Sequence, residues 1–592
     1  MRGIGKCGRG ESLAFAVGLW LAASALPSGA FVLGLSSAGS PKHWDLVTFP
    51  TDVHTNVVNP HTRAVRYFMA SDGYSSGNTA AELNAIRASF AQWQAIPGTI
   101  LKFEEGGLLA PRNTYDLADN TNMIFWAKTS TLVGNGDDIS GALGVTFTSY
   151  FSDGTLVEAD MVLNGVEYGW FTDYSQRTNP DQFIEGTVIH EAGHFIGLSH
   201  SPLGAATMFP YGDSGVDAQV GLASDDIAGA YALYGLANQA GTRAAVKGTI
   251  TRSGVGILGA MVVAEDANGT MVAGTLSRPN GSYEMPAMPP GNYQIRVSPL
   301  DPAGATDYLL QGADISAAFN SAATSFLPTT NVAITLSAGI TNTLNFSVVN
   351  AEPPFRIAYM RDPTTNAGTY SLSGLPPTLF PGQSNLTIGV ISPSLPTNNA
   401  TLSISGDGLT IGAPVFRTNL QGSGLNFISV HLDISSNATP GLRSFTVQQG
   451  ANRAYANGFL DILPLQPDYN FDGLDDTFQR QYFPLFTSAA AAPNADPDGD
   501  RMNNASEYIA GTVPTNAASL LRITNVTETA QGTTVTWGGV VGKRYQLWSR
   551  LNLGTATWQT AGSPFPATNT TTRAFDATAT NGFRFYRVQV LP

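Results

Sequence analysis

Three histidines and one glutamate within a short stretch are the residues of this sequence best suited to chemistry. His190 and His194 are four positions apart, so on a helix both imidazoles project from one face, one turn apart. Two neutral imidazoles at that spacing can chelate one Zn²⁺ ion. Gly197 allows the helix to end and the chain to turn, which brings His200 in as a third ligand. Three protein ligands leave the fourth position to water, which predicts a single catalytic zinc.

Glu191 directly follows the first histidine, so it is rotated about 100° from His190 around the helix axis. From there it can reach a zinc-bound water without being a ligand. We expect Glu191 to take a proton from that water and later give it to the leaving amine. A structural zinc is the alternative, but such sites usually fill all four positions from protein. The one cysteine of the chain, Cys7, lies in the leader described next, so no cysteine remains to complete a structural zinc site.

The first thirty residues have the pattern of a secretory signal peptide. Arg2, Lys6 and Arg9 precede an apolar run at 13–25, and small residues follow at cleavage spacing. A membrane anchor is the alternative, but this run is short for a span, which needs about 20 residues. We therefore predict a signal peptide at 1–30, a secreted, extracellular protein and no membrane span. The net charge of −14 argues against nucleic-acid binding, which needs a basic surface.

The histidines lie in a predicted multidomain chain that begins with a mixed α and β domain at 31–235. A capping-box spacing at Thr79 and Glu82 predicts a first helix, which Pro97 and Gly98 end. A second helix is expected at about 182–196, and a third begins with Ser224 as its N-cap. Later, short strands between Gly, Pro and Asn turns predict all-β modules. The predicted parts are a β-sandwich at 246–350, an Ig-like β-sandwich at 351–464, acidic calcium-binding loops at 465–519 and a β module at 520–592.

The stretch HEAGHFIGLSH at 190–200 resembles the metzincin motif of zinc metalloproteases. Met208 lies eight residues after His200, where the family has its Met-turn, a packing residue under the zinc. The sequences AATMFPY and LASDDIAGAYALYG resemble the matrixin branch, M10-like and of bacterial type. The resemblance implies an α+β domain with a twisted mixed sheet and a long active-site helix. It also implies a zinc metalloendopeptidase, a hydrolase that cleaves peptide bonds of extracellular proteins or peptides.

The same resemblance implies where a substrate lies. An extended peptide would pair with the strand near Leu143, Gly144 and Val145, as in β-augmentation. Pro210 and Tyr211 would wall the pocket that follows the scissile bond. Ordinary core packing is an equal alternative for Tyr211.

Two acidic runs have the spacing of calcium loops. In the first, oxygen ligands fall at loop positions 1, 3, 5, 9 and 12, with a backbone carbonyl expected from Met502. This run resembles thrombospondin type 3 loops, and Arg501 replaces the usual glycine at position 6. The second run resembles a dockerin loop, and a solvated acidic linker is the alternative for both. The predicted ligands are Asp496, Asp498, Asp500, Met502, Asn504 and Glu507 in the first run, and Asp468, Asn470, Asp472 and Asp476 in the second.

The β modules leave a second class of function open. Within 246–350, the stretch SRPNGSYEMPAMPPGNYQIRV resembles the carboxypeptidase regulatory-like module. An extracellular adhesion or carbohydrate-binding protein, with the β modules as its working part, is the alternative to a protease. Polysaccharide or extracellular matrix would then be the partner. The sequence carries no signal for an oligomeric state.

Overall fold

The computed structural model describes most of the chain in eight ranges. These are 32–48, 53–212, 214–216, 219–329, 332–364, 372–554, 557–579 and 584–591. The predicted signal peptide at 1–30 lies outside them. Within these ranges, no helix combines the length and the apolar character needed to cross a bilayer.

The chain divides into two compact units. The larger unit runs to Leu465 and the smaller one begins at Gln466. The larger unit contains the histidines together with the strands predicted for 246–350 and 351–464. The β-rich regions that follow residue 243 therefore belong to the same compact body as the histidines, up to Leu465.

A five-stranded sheet with three helices forms the first part of the larger unit. Its elements are β1 (Val65–Ala70), α1 (Thr79–Ala95), β2 (Phe103–Leu109), β3 (Met123–Ala127), β4 (Gly144–Tyr150), β5 (Leu156–Asn164), β6 (Trp170–Phe171), β7 (Gln182–Phe183), α2 (Ile184–Phe195) and α3 (Ser224–Tyr234). The sheet order is β2-β1-β3-β5-β4, with parallel neighbours except for β4, which is antiparallel to β5. Strand β4 therefore forms one edge of a mixed sheet, as the family resemblance implies, while α2 has 12 residues and is shorter than α1, which has 17.

Helix α1 buries the apolar face that its sequence predicts. Ile86, Phe90 and Trp93 recur at helical spacing and are buried in a core shared with Ile189 of α2. The Trp93 indole donates a hydrogen bond to the Ile189 carbonyl at 2.8 Å. Helix α1 therefore supports α2 directly from beneath the histidines.

The predicted capping box at the start of α1 is wrong. Asn78 precedes the helix and makes no side-chain cap, and the Thr79 hydroxyl donates to the Ser75 carbonyl. The buried Glu82 carboxylate instead accepts from the backbone N–H groups of Tyr74 and Ser75. Tertiary packing thus turns Glu82 toward the preceding loop, where it satisfies two donors that the helix start does not use.

The start of α3 also differs by one residue from the prediction. Ala223, not Ser224, precedes the helix, and alanine has no side-chain acceptor. The Asp226 carboxylate accepts a hydrogen bond from the Ala223 N–H at 3.1 Å, which satisfies a backbone donor at the start of the helix.

Residues 244–348 form two sheets around one apolar core. The elements are β8 (Ala244–Arg252), β9 (Val255–Gly256), β10 (Met261–Asp266), β11 (Met271–Leu276), β12 (Ser282–Met288), β13 (Gly291–Ser298), α4 (Gly312–Ile315), β14 (Val332–Leu336), β15 (Thr341–Thr343) and β16 (Phe346–Val348). One sheet has the order β11-β10-β13-β14, and the other joins β12, β15, β16 and β9 to β8. Apolar residues of both sheets share a core, so we call this part the first sandwich.

A second sandwich follows and shares a core with the histidine domain. Its elements are β17 (Tyr359–Thr364), β18 (Leu372–Ser373), β19 (Thr378–Leu379), β20 (Leu386–Ser392), β21 (Thr401–Ile404), β22 (Leu409–Ile411), β23 (Val415–Arg417), β24 (Asn426–Ile434), β25 (Gly441–Gln449) and β26 (Asn452–Ile462). Leu203 and Phe209 lie in one buried cluster with Phe459 of β26. The rings of Phe209 and Phe459 meet edge to face, with centroids 5.4 Å apart. The second sandwich therefore supports the loop that follows the histidines.

The smaller unit combines two short helices with two small sheets. Its elements are α5 (Asp476–Tyr482), α6 (Asn504–Ala510), β27 (Ile523–Thr529), β28 (Gly532–Gly538), β29 (Arg544–Arg550), β30 (Gln559–Thr560), β31 (Phe565–Pro566), β32 (Thr571–Asp576) and β33 (Phe585–Leu591). Trp537 and Tyr545 are buried in the core between the sheets.

Candidate metal centre

Helix α2 and the turn after it bring the three predicted ligands together. His190 and His194 lie on α2, and Gly197 takes a φ of 102°, a conformation that glycine adopts without a steric penalty. A Cβ at Gly197 would also meet the Lys42 carbonyl oxygen at 2.2 Å. The chain thus turns sharply and returns His200, whose ring centroid is 4.8 Å from that of His194.

Each imidazole is oriented through its Nδ1 atom. Nδ1 of His190 lies 2.7 Å from the Thr207 carbonyl oxygen, and Nδ1 of His194 lies 2.9 Å from that of Leu198. Nδ1 of His200 lies 2.7 Å from the Asp314 carbonyl oxygen. A carbonyl only accepts hydrogen bonds, so all three Nδ1 atoms carry the proton. The three Nε2 atoms are therefore unprotonated and available as metal ligands.

The arrangement of these Nε2 atoms fits a zinc ion. Nε2 of His194 and Nε2 of His200 are 3.2 Å apart, yet neither carries a proton to donate. Two nitrogens bound to one tetrahedral zinc are separated by about 3.3 Å. The buried Nε2 of His190 has no hydrogen-bond partner among the described residues. Three converging lone pairs without a donor are stabilised by a cation, and these histidines form a cluster that could hold one.

Burial keeps the three histidines neutral. It lowers the pKa of His194 to about 4 and that of His200 to about 3. The pKa of His190 also falls well below its usual value, first because of burial and then because of its two histidine neighbours. Neutral imidazole is the form that binds a metal.

Glu191 lies beside the histidines and is held by β4. Its Oε2 atom accepts a hydrogen bond from the Thr146 hydroxyl at 2.8 Å. Its Oε1 atom is buried and has no partner among the described residues. Burial raises the pKa of Glu191 to about 8 in the absence of a metal charge. Thr146 is a positioning residue that the sequence did not reveal, because only the folded sheet brings it to α2.

Met208 packs against α2 in the buried core that contains Ile189 and Trp93. Its backbone N–H and that of Thr207 both donate to the buried Asp226 carboxylate, at 3.1 and 2.9 Å. A Cβ at Gly193 would meet the Met208 sulfur at 2.2 Å, so a larger residue there would displace the methionine side chain. Asp226 thus fixes the turn whose Thr207 carbonyl orients His190.

The candidate site opens into a cavity of about 650 Å³. Glu191, His194 and His200 line it together with β4 and the N-terminal segment 32–42. That segment is bound to the turn after α2, because the Gly34 N–H donates to the Gly197 carbonyl at 2.9 Å.

The residues predicted to bind substrate fall into two groups. Gly144, Val145, Pro210 and Tyr211 all line the cavity. The Leu143 side chain is instead buried in the core of the domain, and it does not line this cavity. Leu143 directly precedes the first residue of β4.

The first sandwich forms part of the cavity wall, which the sequence did not indicate. The Asp314 carbonyl of this region accepts a hydrogen bond from His200, and the Ile315 carbonyl accepts one from the Ser199 hydroxyl. Residues 313–320 line the cavity on this side. A second contact joins the Gly274 N–H to the buried Asp225 carboxylate at 2.7 Å.

The first acidic run gathers oxygen atoms in the smaller unit. The carboxylates of Asp496, Asp498 and Asp500 lie close enough to hold one metal ion. Asn504 and Glu507 begin α6 and are fully buried. Burial, together with the charges of the three aspartates, raises the pKa of Glu507 to about 7. Oxygens without a hydrogen-bond partner among the described residues are Asp498 Oδ2, Asp500 Oδ2, Asn504 Oδ1 and Glu507 Oε2.

The backbone of this run is held by its own side chains. Arg501 takes a φ of 80° where glycine is usual, and its N–H donates to the Asp496 carboxylate at 3.0 Å. The Met502 N–H donates to the Asp500 carboxylate at 2.7 Å.

The second acidic run is already paired by amide groups. The Gln479 and Asn470 amides both donate to Asp472 Oδ2, at 2.8 and 3.0 Å. Asp468 accepts from the Asp472 and Gly473 N–H groups, and Asp476 accepts from the Tyr469 N–H. Side chains and backbone of the run thus hold one another by hydrogen bonds, and calcium binding by this run stays a prediction.

Comparison with known proteins places this site in a recognised class. Residues 61–235 match the model of the Peptidase_M10 family, described as matrixin. Together with the three histidines, the match supports a matrixin-like domain at these residues, and matrixins are zinc metallopeptidases of the metzincin class. Metalloendoproteinase 5-MMP of Arabidopsis thaliana is 34% identical over 110 residues, which cover 17% of this chain and 28% of the plant protein. The chain thus spans less than a third of that relative's length.

Solved structures resemble the chain only distantly. The major pilin subunit BcpA of Bacillus cereus is 9% identical over 59% of this chain and 87% of its own, with a TM-score of 0.14. A putative carbohydrate binding protein from Bacteroides uniformis is 11% identical over 37% of this chain and 97% of its own, with a TM-score of 0.13.

Proposed function

We propose that this protein is a zinc-dependent metalloendopeptidase that hydrolyses peptide bonds of extracellular proteins. The observation that carries the proposal is the convergence of three unprotonated Nε2 atoms beside a buried glutamate with one unpartnered oxygen. His190, His194 and His200 would hold the zinc. The matrixin match over 61–235 supports the same chemistry.

Glu191 is the residue that moves protons in this proposal. A bound zinc would supply Lewis acidity and a water ligand with a pKa of about 7. Thr146 occupies Oε2 of Glu191, so Oε1 is the atom that accepts the proton of the attacking water. The same oxygen then delivers that proton to the leaving amine. Burial of the carboxylate raises its pKa, which helps it to hold the proton between the two steps.

Strand β4 would orient the substrate. Among the described strands it pairs with β5 and lies at one edge of the sheet, so an extended peptide could add to its outer edge as a further strand. Gly144 and Val145 lie at the cavity, and Pro210 and Tyr211 wall its other side. Tyr211 also packs with Phe209, so it is both a core residue and a wall residue.

Removal of the metal tests the proposed function. We expect the secreted, zinc-loaded full chain to cleave capped members of a broad peptide library, and a zinc chelator to abolish cleavage. Readdition of one equivalent of zinc should restore the rate, because the histidines remain neutral and preorganised. Zinc content is measured by atomic emission beside the cleavage rate. A rate that the chelator leaves unchanged would contradict the proposal.

We further propose that the first acidic run binds one Ca²⁺ ion. Support comes from the buried, unpartnered oxygens of Asn504 and Glu507 beside three aspartates. Buried polar atoms without partners are costly, and a hard cation with six to eight oxygen ligands stabilises them. The proposal does not extend to the second run, whose amides already pair its carboxylates.

Calcium binding should depend on pH through Glu507. Its pKa of about 7 means that calcium must displace a proton at lower pH. We expect affinity to be about 30-fold weaker at pH 5.5 than at pH 8, as measured by calorimetry on the zinc-loaded full chain. Glu507→Gln should weaken binding at least tenfold and remove most of the pH dependence. The exposed Glu528 supplies the control, since Glu528→Gln should bind as wild type does. Equal affinity of E507Q and wild type would exclude this site.

Secretion remains part of the proposal because the pattern at 1–30 is that of a signal peptide. We do not propose adhesion or carbohydrate binding as the main role, because the matched family and the histidine cluster both favour a peptidase.

A further inference from the structure

One wall of the cavity carries a cation from outside the matrixin domain. Arg278 lies just after β11 in the first sandwich, and it lines the same cavity as Glu191, His194 and His200. Thr275 and Leu276 accompany it on that wall. The residue is therefore placed to contact whatever peptide occupies the cavity.

The Arg278 guanidinium is incompletely paired. Its Nη1 atom is buried and has no hydrogen-bond partner among the described residues. Burial lowers the pKa of Arg278, while the Glu284 carboxylate opposes that change. A buried guanidinium N–H without an acceptor costs free energy that a ligand acceptor can recover.

The other charged groups of the cavity already have partners. The Lys42 ammonium donates to the Thr148 hydroxyl and lies 4.1 Å from the centre of the Tyr150 ring. The Asp314 carboxylate accepts from the Gln311 N–H at 2.8 Å. Glu191 is held by Thr146. Among the described residues that line this cavity, Arg278 is thus the cation with a buried N–H donor that has no acceptor.

We propose that Arg278 forms a subsite that binds an acidic side chain of the peptide substrate, and so determines specificity. This inference rests on the proposed peptidase function and names its substrate class. A guanidinium binds a carboxylate through two parallel, charge-assisted hydrogen bonds. A side-chain amide of the same shape carries no charge and binds the guanidinium more weakly. Because the subsite belongs to the first sandwich, that sandwich contributes to substrate selection as well as to the fold.

Paired peptides test the subsite. Capped peptides with either glutamate or glutamine at each position around the scissile bond are titrated against the zinc-loaded full chain carrying Glu191→Gln, by fluorescence anisotropy. The same pairs are then cleaved by wild type. We expect glutamate to be favoured about 10- to 100-fold at one position, in binding and in kcat/KM.

Variants at Arg278 should change that preference in a defined order. Arg278→Gln removes it, and a cooperative thermal transition at the temperature of wild type, followed by circular dichroism, shows that the fold is intact. Arg278→Lys keeps part of the preference, and Arg278→Glu reverses it in favour of a lysine peptide. Arg573→Gln is the matched control, because Arg573 is an exposed arginine of the smaller unit.

The outcomes separate the two proposals. No glutamate preference at any position, or a preference that survives Arg278→Gln, overturns the subsite even if peptides are cleaved. Binding with the expected preference but no cleavage by zinc-loaded wild type would support the subsite and overturn the peptidase function.

Discussion

Replacement of Glu191 by glutamine is expected to lower the rate of peptide cleavage about 10³-fold while zinc stays bound. A general base contributes about 10²- to 10⁴-fold, and the amide cannot accept the proton. The amide oxygen can still accept the Thr146 hydroxyl, so the side chain keeps its place. The three imidazoles and their carbonyl partners are untouched, so the zinc content should equal that of wild type.

A matched control separates loss of the base from loss of charge. Glu352→Gln removes one carboxylate from a side chain that is 69% exposed. Its surface salt bridge with Arg356 contributes little to the stability of the fold, so cleavage should stay within about twofold of wild type. If Glu191→Gln cleaves a peptide within tenfold of wild type, Glu191 is not the base. If it loses zinc, the loss of activity says nothing about proton transfer.

A fragment that ends at residue 243 is expected to lose peptidase activity and most of its zinc affinity. Leu203 and Phe209 are fully buried against the second sandwich, and full burial of such a side chain stabilises by about 1.5–3 kcal/mol. The fragment also removes the Asp314 carbonyl that orients His200. Together these losses approach the 5–15 kcal/mol that stabilises a typical domain.

The control for this truncation is a fragment that ends at Leu465. It keeps the larger compact unit whole and lacks only the smaller one. We expect its zinc content and cleavage rate to match the full chain, and its circular dichroism to melt in a cooperative transition. A 32–243 fragment that binds zinc and cleaves peptides like the 32–465 fragment would show that the sandwiches are dispensable.

The convergence of the candidate metal ligands could be predicted because their geometry is local. A helix places His190 and His194 one turn apart whatever surrounds it, and Gly197 permits the turn to His200. The edge position of β4 was implied by the family resemblance, and the sheet has β4 at that edge.

The supporting residues could not be predicted because they come from distant parts of the chain. Thr146 meets Glu191 only when β4 lies over α2, and Asp226 meets the Met-turn only when α3 packs beside it. The failed capping box has the same cause, since burial drew Glu82 to a loop that local spacing does not reveal. Nothing in the spacing of Arg278 connects it to the histidines.

The hydrogen bond from His200 to Asp314 also sets an order of events during synthesis. The two residues are 114 positions apart, which a ribosome covers in about 6–23 s at about 5–20 residues per second. Throughout that interval the third histidine lacks the acceptor that fixes its tautomer. The second sandwich, which packs on the following loop, emerges later still. A nascent chain therefore carries the complete histidine motif well before it can assemble the candidate metal centre.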